Sequence, residues 1–401
     1  MPNSPITFLH PHCMLAGGAT TVLLEVSKRL VQAGWPVCIV SVQSDPTITA
    51  EARAEGVQFV DVGGPLSSSI WFWVLYPLMY WRVHRAARRI GSSVIVSEPF
   101  PANWWGWFYK ILTPSVQLVY VCHEPTAFIF ERAWIESIKP DYMRWGLKLM
   151  NPLFRQIEFG LMPTTDRVVV NSRYSQRTVE QTFPQLDRAR IRLVYCGIDH
   201  DTFYPRPNVP RQRQIVMVCT LNKFKRVDQV VRALALLRQQ PSCGDVRLVI
   251  KGKGVEKEAL LQLIQSLKLT DAVTLIDAFY TTEQLATLLS SSQVFVHAAH
   301  NEPFGLSPIE AMACGTPAVV TGTGGTAETV TNEVSGLYYQ YDSDKALARQ
   351  LTRLFTDEAL WKQLSEGAVQ HAAQFNWSLT HTVFSDVLAE ASIRKNLDTI
   401  S

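Results

Sequence analysis

Apolar residues along the chain fall into short runs separated by longer amphipathic stretches. Ile6 to Leu9 is the first strand-like run, followed by a loop from His10 to Gly18 and a helical pattern from Ala19 to Val31. Val37 to Val42, Val57 to Val60, Val94 to Val96, Gln117 to Val121 and Arg167 to Val170 continue the series. A second series reads Ile215 to Val218, Val246 to Ile250, Val273 to Leu275, Val294 to Val296 and Ala318 to Val320. Strands alternating with helices predict parallel sheets with helical crossovers, an α/β chain of two Rossmann-like, doubly wound domains. The Pro-rich stretch Tyr204-Pro205-Arg206-Pro207-Asn208-Val209-Pro210 reads as the linker between them. It sets expected domains at residues 1–205 and 206–376, with a last helix in 377–401 that returns to the first domain. Such folds bind ligands outside the carboxyl ends of their strands, so two sheets facing one another imply a central cleft.

Composition narrows the class. A chain of 401 residues with 47% apolar content fills two cores. The net charge of +3 is too mild for a dedicated nucleic-acid binder, so no nucleic-acid partner is expected. Cys13, Cys38, Cys122, Cys196, Cys219, Cys243 and Cys314 are scattered without Cys-x-x-Cys spacing and read as small buried residues of a reducing compartment. No basic stretch followed by a long apolar one opens the chain, so a cytoplasmic location is expected.

The densest chemistry lies between Asn301 and Pro317, where Glu302 and Glu310 bracket a helix start. Ser307 with Glu310 three residues later reads as a capping box, with Pro308 at the first helical position. The amides of Phe304, Gly305 and Leu306 then precede a helix N-terminus, whose partial positive charge and unpaired donors suit a phosphate or sugar hydroxyls. Gly305 allows close backbone approach. The plainer alternative makes Glu310 a cap and Glu302 a solvated side chain. Gly17-Gly18 ahead of a helix reads either as a phosphate-approach loop or as a turn. Lys223, Lys225 and Arg226 form a basic loop after a strand, and His123 ends another strand.

Together these segments closely resemble the Glu-x7-Glu donor site of retaining, nucleotide-sugar-dependent glycosyltransferases of the GT-B fold, family 4, over nearly the whole chain. The resemblance implies a nucleotide-sugar donor and a glycan or lipid-linked acceptor. It assigns catalytic roles to His123, Lys225 and Glu302, and donor binding to Gly17, Gly18, Lys225, Phe304, Gly305, Leu306 and Glu310. Asn171-Ser172, Gly197-Ile198-Asp199 and Lys251-Gly252-Lys253-Gly254 sit where the family has matching elements. Thr220 stands where relatives carry an Arg that meets the leaving diphosphate, which leaves Lys223 or Arg226 to supply that charge. The family's mechanism is departure and attack on one face of the sugar, with no metal and no cofactor, and the paired-carboxylate scheme of glycosidases does not transfer to it. Phe8-Leu9-His10-Pro11, Cys122-His123-Glu124-Pro125 and the connection from Phe128 to Phe159 look like mannosyltransferases that extend lipid-linked oligosaccharides from GDP-mannose. A UDP-sugar enzyme and a non-catalytic sugar-nucleotide-binding subunit remain alternatives, the second favoured by Thr220. A dinucleotide oxidoreductase requires Gly-x-Gly-x-x-Gly, which Leu15-Ala16-Gly17-Gly18-Ala19-Thr20 lacks.

Ile70 to Trp81 is apolar or aromatic and is followed by Arg82, His84, Arg85, Arg88 and Arg89. The run is too short to span a bilayer as a helix. It reads either as a core helix with a solvated basic end or, from Ile70 to Arg89, as an interfacial segment on an anionic membrane surface. Trp104, Trp105 and Trp107 add to the second reading, which makes the protein peripheral on the cytoplasmic membrane face and its acceptor lipid-linked.

Overall fold

A computed structural model describes residues 5–14, 17–66, 69–131, 135 and 141–398. Leu15 and Ala16 of the glycine loop, and residues 132–134 and 136–140 of the aromatic connection, lie outside the described residues. Two compact units emerge, Met1–Tyr195 with Trp377–Ser401, and Cys196–Asn376. The expected boundary at 205/206 therefore moves upstream. Ile198 bridges to Asn376 and donates its N–H to Phe375 O at 3.2 Å, while His200 Nε2 lies 3.0 Å from the same carbonyl. The Pro-rich stretch lies within the second unit, where Arg206 pairs with Glu283 at 2.8 Å.

The first unit has a seven-stranded sheet. Its strands are β1 (Ile6–Leu9), β2 (Val37–Ser41), β3 (Gln58–Asp61), β4 (Val94–Ser97), β5 (Gln117–Val121), β6 (Arg167–Val170) and β7 (Ile191–Leu193). They run parallel in the order β3-β2-β1-β4-β5-β6-β7. The edge strand β7 escapes the sequence reading because Ile-Arg-Leu is too short to show a period. Helices α1 (Gly18–Gln32) and α2 (Pro46–Ala54) pack together. On the opposite side, α3 (Ile70–Val74) and α4 (Tyr76–Ile90) lead to α5 (Ala102–Leu112), which packs against α6 (Asp141–Leu161). Right-handed crossovers place successive helices on one side until the strand order reverses. The helix α7 (Arg173–Thr182) follows β6 and is capped by Ser172, whose Oγ accepts from Ser175 N at 2.9 Å.

The tryptophans of α5 correct one expectation. Trp105 and Trp107 are fully buried and Trp104 nearly so, because they fill the space between the sheet and the neighbouring helices. Each such ring removes roughly 150–250 Å² from water, about 4–6 kcal/mol of gross burial energy at ~25 cal/mol/Å². These rings belong to the core and not to a membrane face. Glu158 of α6 is buried beside them and accepts from Trp104 Nε1 at 3.0 Å, Thr126 Oγ1 at 2.7 Å and Asn103 Nδ2 at 3.3 Å.

The second unit has a six-stranded parallel sheet of β8 (Gln212–Val218), β9 (Arg247–Lys251), β10 (Val273–Ile276), β11 (Ser292–His297), β12 (Ala318–Val320) and β13 (Gly336–Tyr338). The order is β10-β9-β8-β11-β12-β13. Helices α8 (Val227–Leu237), α9 (Lys257–Ser266), α10 (Thr282–Ser290), α11 (Leu306–Ala313), α12 (Asp344–Thr356) and α13 (Glu358–Ala372) surround it. The chain then enters α14 (Trp377–Asp398), which packs on α1 and β5 of the first unit. Phe384 stacks on Phe8 at 6.3 Å, Thr380 Oγ1 donates to Tyr195 O at 2.8 Å, and Glu390 pairs with Arg192 at 2.9 Å.

Burial raises Glu158 to about 7 and Glu98 to about 8, from an ordinary 4.5. The folded first unit thus holds two protons that the unfolded chain releases above pH 4.5. Their contribution is complete below that pH and is lost as pH rises through about 7 and 8. Urea melts at pH 5, 6.5 and 8.5 should show stability falling with pH by up to about 1.4 kcal/mol per unit for each group, and Glu158→Gln should flatten that slope.

Candidate active site

Strand order in the second sheet reverses between β8 and β11, and ligands of open α/β sheets bind beyond such a reversal. The loops leaving these two strands carry Lys225 and Glu302. After β8, Asn222 accepts from Lys225 N at 3.2 Å through its side chain and fixes a short helical turn from Lys223 to Lys225. Lys225 Nζ then donates to Glu302 Oε2 at 2.6 Å. His297, buried at the end of β11, sets its Nε2 3.4 Å from the same oxygen. Burial opposes ionisation of Glu302, but the Lys225 ammonium and His297 outweigh it and hold the carboxyl well below the ordinary range. Glu302 is therefore a charged carboxylate, and His297 joins it from the end of β11, a position that apolar periodicity does not single out. Its place at a strand's carboxyl end, just ahead of the motif, is the signal that was available.

The helix start differs from the expected capping box. Gly305 is the N-cap at φ 98°, a left-handed conformation that favours glycine, and α11 begins at Leu306 without a side-chain cap. Ser307 and Pro308 lie inside the first turn, so Glu310 falls two residues beyond the position from which a side chain reaches back to the cap. Its carboxyl, not used in capping, is pushed up to about 7 by burial. Phe304 is buried and packs its ring against Phe375 at 5.8 Å, so its side chain serves the core. Gly325 N donates to Glu302 O at 2.6 Å, and a Cβ at Gly325 would stand 2.1 Å from Pro303 O, so the glycine turn lies flush against the Glu302 loop. Leu221 N donates to Lys253 O at 2.8 Å, tying the Lys251–Gly254 loop to the one that carries Lys225.

The two basic neighbours of Lys225 separate. Arg226 binds Asp342 and donates to Tyr341 Oη at 3.1 Å, so its charge is engaged elsewhere. Lys223 is exposed. The chain's Asp-x-Asp sequences, Asp199-His200-Asp201 and Asp342-Ser343-Asp344, are likewise committed to local bonds. Asp199 Oδ1 accepts from Asp201 N at 3.0 Å, and Asp344 accepts from Arg232 Nε at 2.7 Å. Among the described residues no group of three or more His, Cys, Asp or Glu is placed to hold a metal ion.

In the first unit the order reverses between β1 and β4. His10 and Glu98 follow those strands, and His123 follows β5; all three are largely buried. Asn171 Nδ2 donates to His123 Nδ1 at 3.1 Å, which puts the ring proton on Nε2, 3.8 Å from Glu98 Oε2. Ser175 Oγ holds the His123 carbonyl at 2.5 Å. Burial lowers His123 to about 4 and His10 to about 3, so both are neutral near pH 7. Glu98 and Asn171 thus join the sequence-derived set. Gly17 is the N-cap of α1 and Gly18 its first residue; both are exposed, and no side chain caps the helix.

Kinship follows the same division. Residues 16–202 match the family model described as Glycosyltransferase Family 4, and residues 201–371 match that described as Glycosyl transferases group 1. The D-inositol 3-phosphate glycosyltransferase of Salinispora tropica is 31% identical over 407 residues, covering 94% of this chain and 81% of that protein. The sucrose-phosphate synthase of Thermosynechococcus elongatus has a similar fold, with a TM-score of 0.78 at 22% identity over 100% of both chains. Anabaena HepE, solved with UDP and glucose, gives 0.77 at 19% identity over 97% of this chain and 100% of its own. The chain belongs to the group 1, family 4 glycosyltransferases and has the GT-B fold. The relative from Salinispora is described by inositol 3-phosphate and not by mannose, so the kinship does not carry the narrower expectation of mannosyl transfer to lipid-linked oligosaccharides.

Lys225→Met should strand the Glu302 charge and lower the stability of the second unit by about 2 kcal/mol. Adding Glu302→Gln should recover at least half of that loss. Denaturant melts of the two single variants and the double variant measure this coupling, and additive losses would show that the pair is not coupled.

Proposed function

We propose that this glycosyltransferase moves a hexose from a nucleotide diphosphate to a hydroxyl of a phosphorylated polyol or glycan acceptor, with retention of configuration. The observation that carries this reading is the Lys225–Glu302–His297 group beside the uncapped start of α11, at the strand reversal of the second sheet. An ammonium and the N–H groups of a helix start without a side-chain cap meet the charge that grows on a departing diphosphate. Glu302 is neutralised by Lys225 and is a poor candidate for a glycosidase-type nucleophile, which favours attack on the face the leaving group vacates. Lys225 and the helix start take the place a metal ion holds in other transferases, so turnover should persist in EDTA. Glu310, with no capping role, is assigned to donor hydroxyls, and His123 to orienting the donor sugar through its Nε2–H.

For the donor, UDP-glucose stands first, since HepE, of similar fold, was solved with it. GDP-mannose stands second, on the motifs around His10 and His123. Thermal shift and slow hydrolysis with UDP-glucose, UDP-GlcNAc, UDP-galactose, GDP-mannose and NAD separate these. One donor that both stabilises and hydrolyses identifies the substrate, and a response to NAD alone would sink the reading. Retention is checked by NMR of the product anomer. Lys225→Ala and Glu302→Gln should each lower kcat about 10²- to 10³-fold.

Glu310 supplies a further test. Its ionised form accepts hydroxyls through charge-assisted bonds, and it forms as pH rises through about 7. Donor KM should therefore fall between pH 6 and pH 8, and Glu310→Gln should make it pH-independent.

A further inference from the structure

Segment 70–90 divides between core and surface. Phe72, Met79, Val83 and Ala87 enter the core of the first unit, while Trp71, Val74, Leu78, Trp81, Arg85 and Arg88 face outward. Spacings of three and four residues align this outer set as one row along α3 and α4, apolar at its start and basic at its end. Trp71 is 63% exposed and Trp81 53%, although the helices that bear them are well anchored beneath.

A second row stands on α6. Trp145 is 67% exposed and Leu149 81%, and Leu153 follows at the same spacing. On the inner side, Phe154 and Ile157 pack against the core. Lys148 lies over the Trp145 ring at 5.4 Å. Both rows belong to one helical layer. Trp104 of α5 meets Tyr76 of α4 edge-on at 6.2 Å and Phe154 of α6 at 5.5 Å. The chain has no Asp or Glu from Ile70 to Ile90, where Arg82, Arg85, Arg88 and Arg89 lie, and none from Met143 to Ile157, where Arg144, Lys148 and Arg155 lie.

We propose that this two-row face, α3–α4 with α6, docks the protein on an anionic lipid bilayer, with Trp71, Trp81, Trp145 and Leu149 entering the interface and the arginines at headgroup level. Charge complementarity selects this occupant, since basic side chains flank both apolar rows and acidic ones are absent from both stretches. An extended surface also engages two rows on separate helices at once. The consequence for chemistry is that acceptors anchored in such a membrane become available to the enzyme.

The test is co-sedimentation of the full chain with vesicles of phosphatidylcholine, with and without phosphatidylglycerol. Binding is expected only with phosphatidylglycerol, and weaker by tenfold or more in 0.5 M NaCl. Arg85→Gln with Arg88→Gln should weaken it roughly thirtyfold. Trp71→Ser with Trp81→Ser, and Trp145→Ser with Leu149→Ser, should each weaken it at least tenfold while thermal melts stay unchanged. Equal binding to both vesicle types, or undiminished binding of the α6 pair, overturns the proposal. Self-association through this face without vesicle binding also overturns it and assigns the face to a second copy. Donor hydrolysis without vesicles should stay at the wild-type rate in all three variants, so failure here is distinguishable from failure of the transferase reading.

Discussion

The bond between Lys225 and Glu302 organises the second unit's ligand edge. A carboxylate this enclosed is unfavourable alone, and its ionisation depends on an ammonium delivered from a different strand's loop. That requirement explains several otherwise separate details. Asn222 sets the turn that aims Lys225, the Gly324–Gly325 turn clasps the Glu302 backbone, and Arg226 is drawn off by Asp342 and Tyr341 so that one cation faces the carboxylate. Glu310, close by in sequence and with no ion pair among the described residues, is driven by burial toward the neutral form. One motif thus yields two carboxyl groups of different charge, a usual device for giving two like residues unlike tasks.

The first unit's edge has the opposite character. His10, His123 and Glu98 are all shifted by burial toward their uncharged forms. Neutral donors and acceptors suit hydroxyl groups, whereas the ionised Lys225 and the helix start suit phosphates. The two sheets share a topology but have been given different electrostatics by a handful of residues at their strand ends.

Much of this was legible in the chain. Parallel sheets and their inner strands followed from apolar periodicity, and family motifs singled out Lys225, Glu302, Glu310 and His123, which the structure sets at strand ends and a helix start. Short edge strands did not, since three residues carry no period. Ser307 and Glu310 have capping-box spacing, but a glycine able to take positive φ two residues earlier claims the cap, and a local pattern cannot show which wins. The tryptophans of α5 and those of α3–α4 are alike in sequence; only packing shows that the first set is core and the second partly surface. His297 and Glu98 matter through neighbours distant in sequence, which no motif scan records.

The return of α14 to the first unit has a consequence for synthesis. Ile198 and Asn376 lie side by side, so residues 196–376 form a continuous insertion whose ends meet. Phe8 and Arg192 wait for partners, Phe384 and Glu390, that are translated after the whole of the second unit. The second unit has its whole chain available before the first has its own, so the unit whose translation starts later is complete sooner. Until α14 arrives, the nascent first unit presents the apolar surface on which that helix will lie, and its completion waits on a helix translated only after the whole second unit.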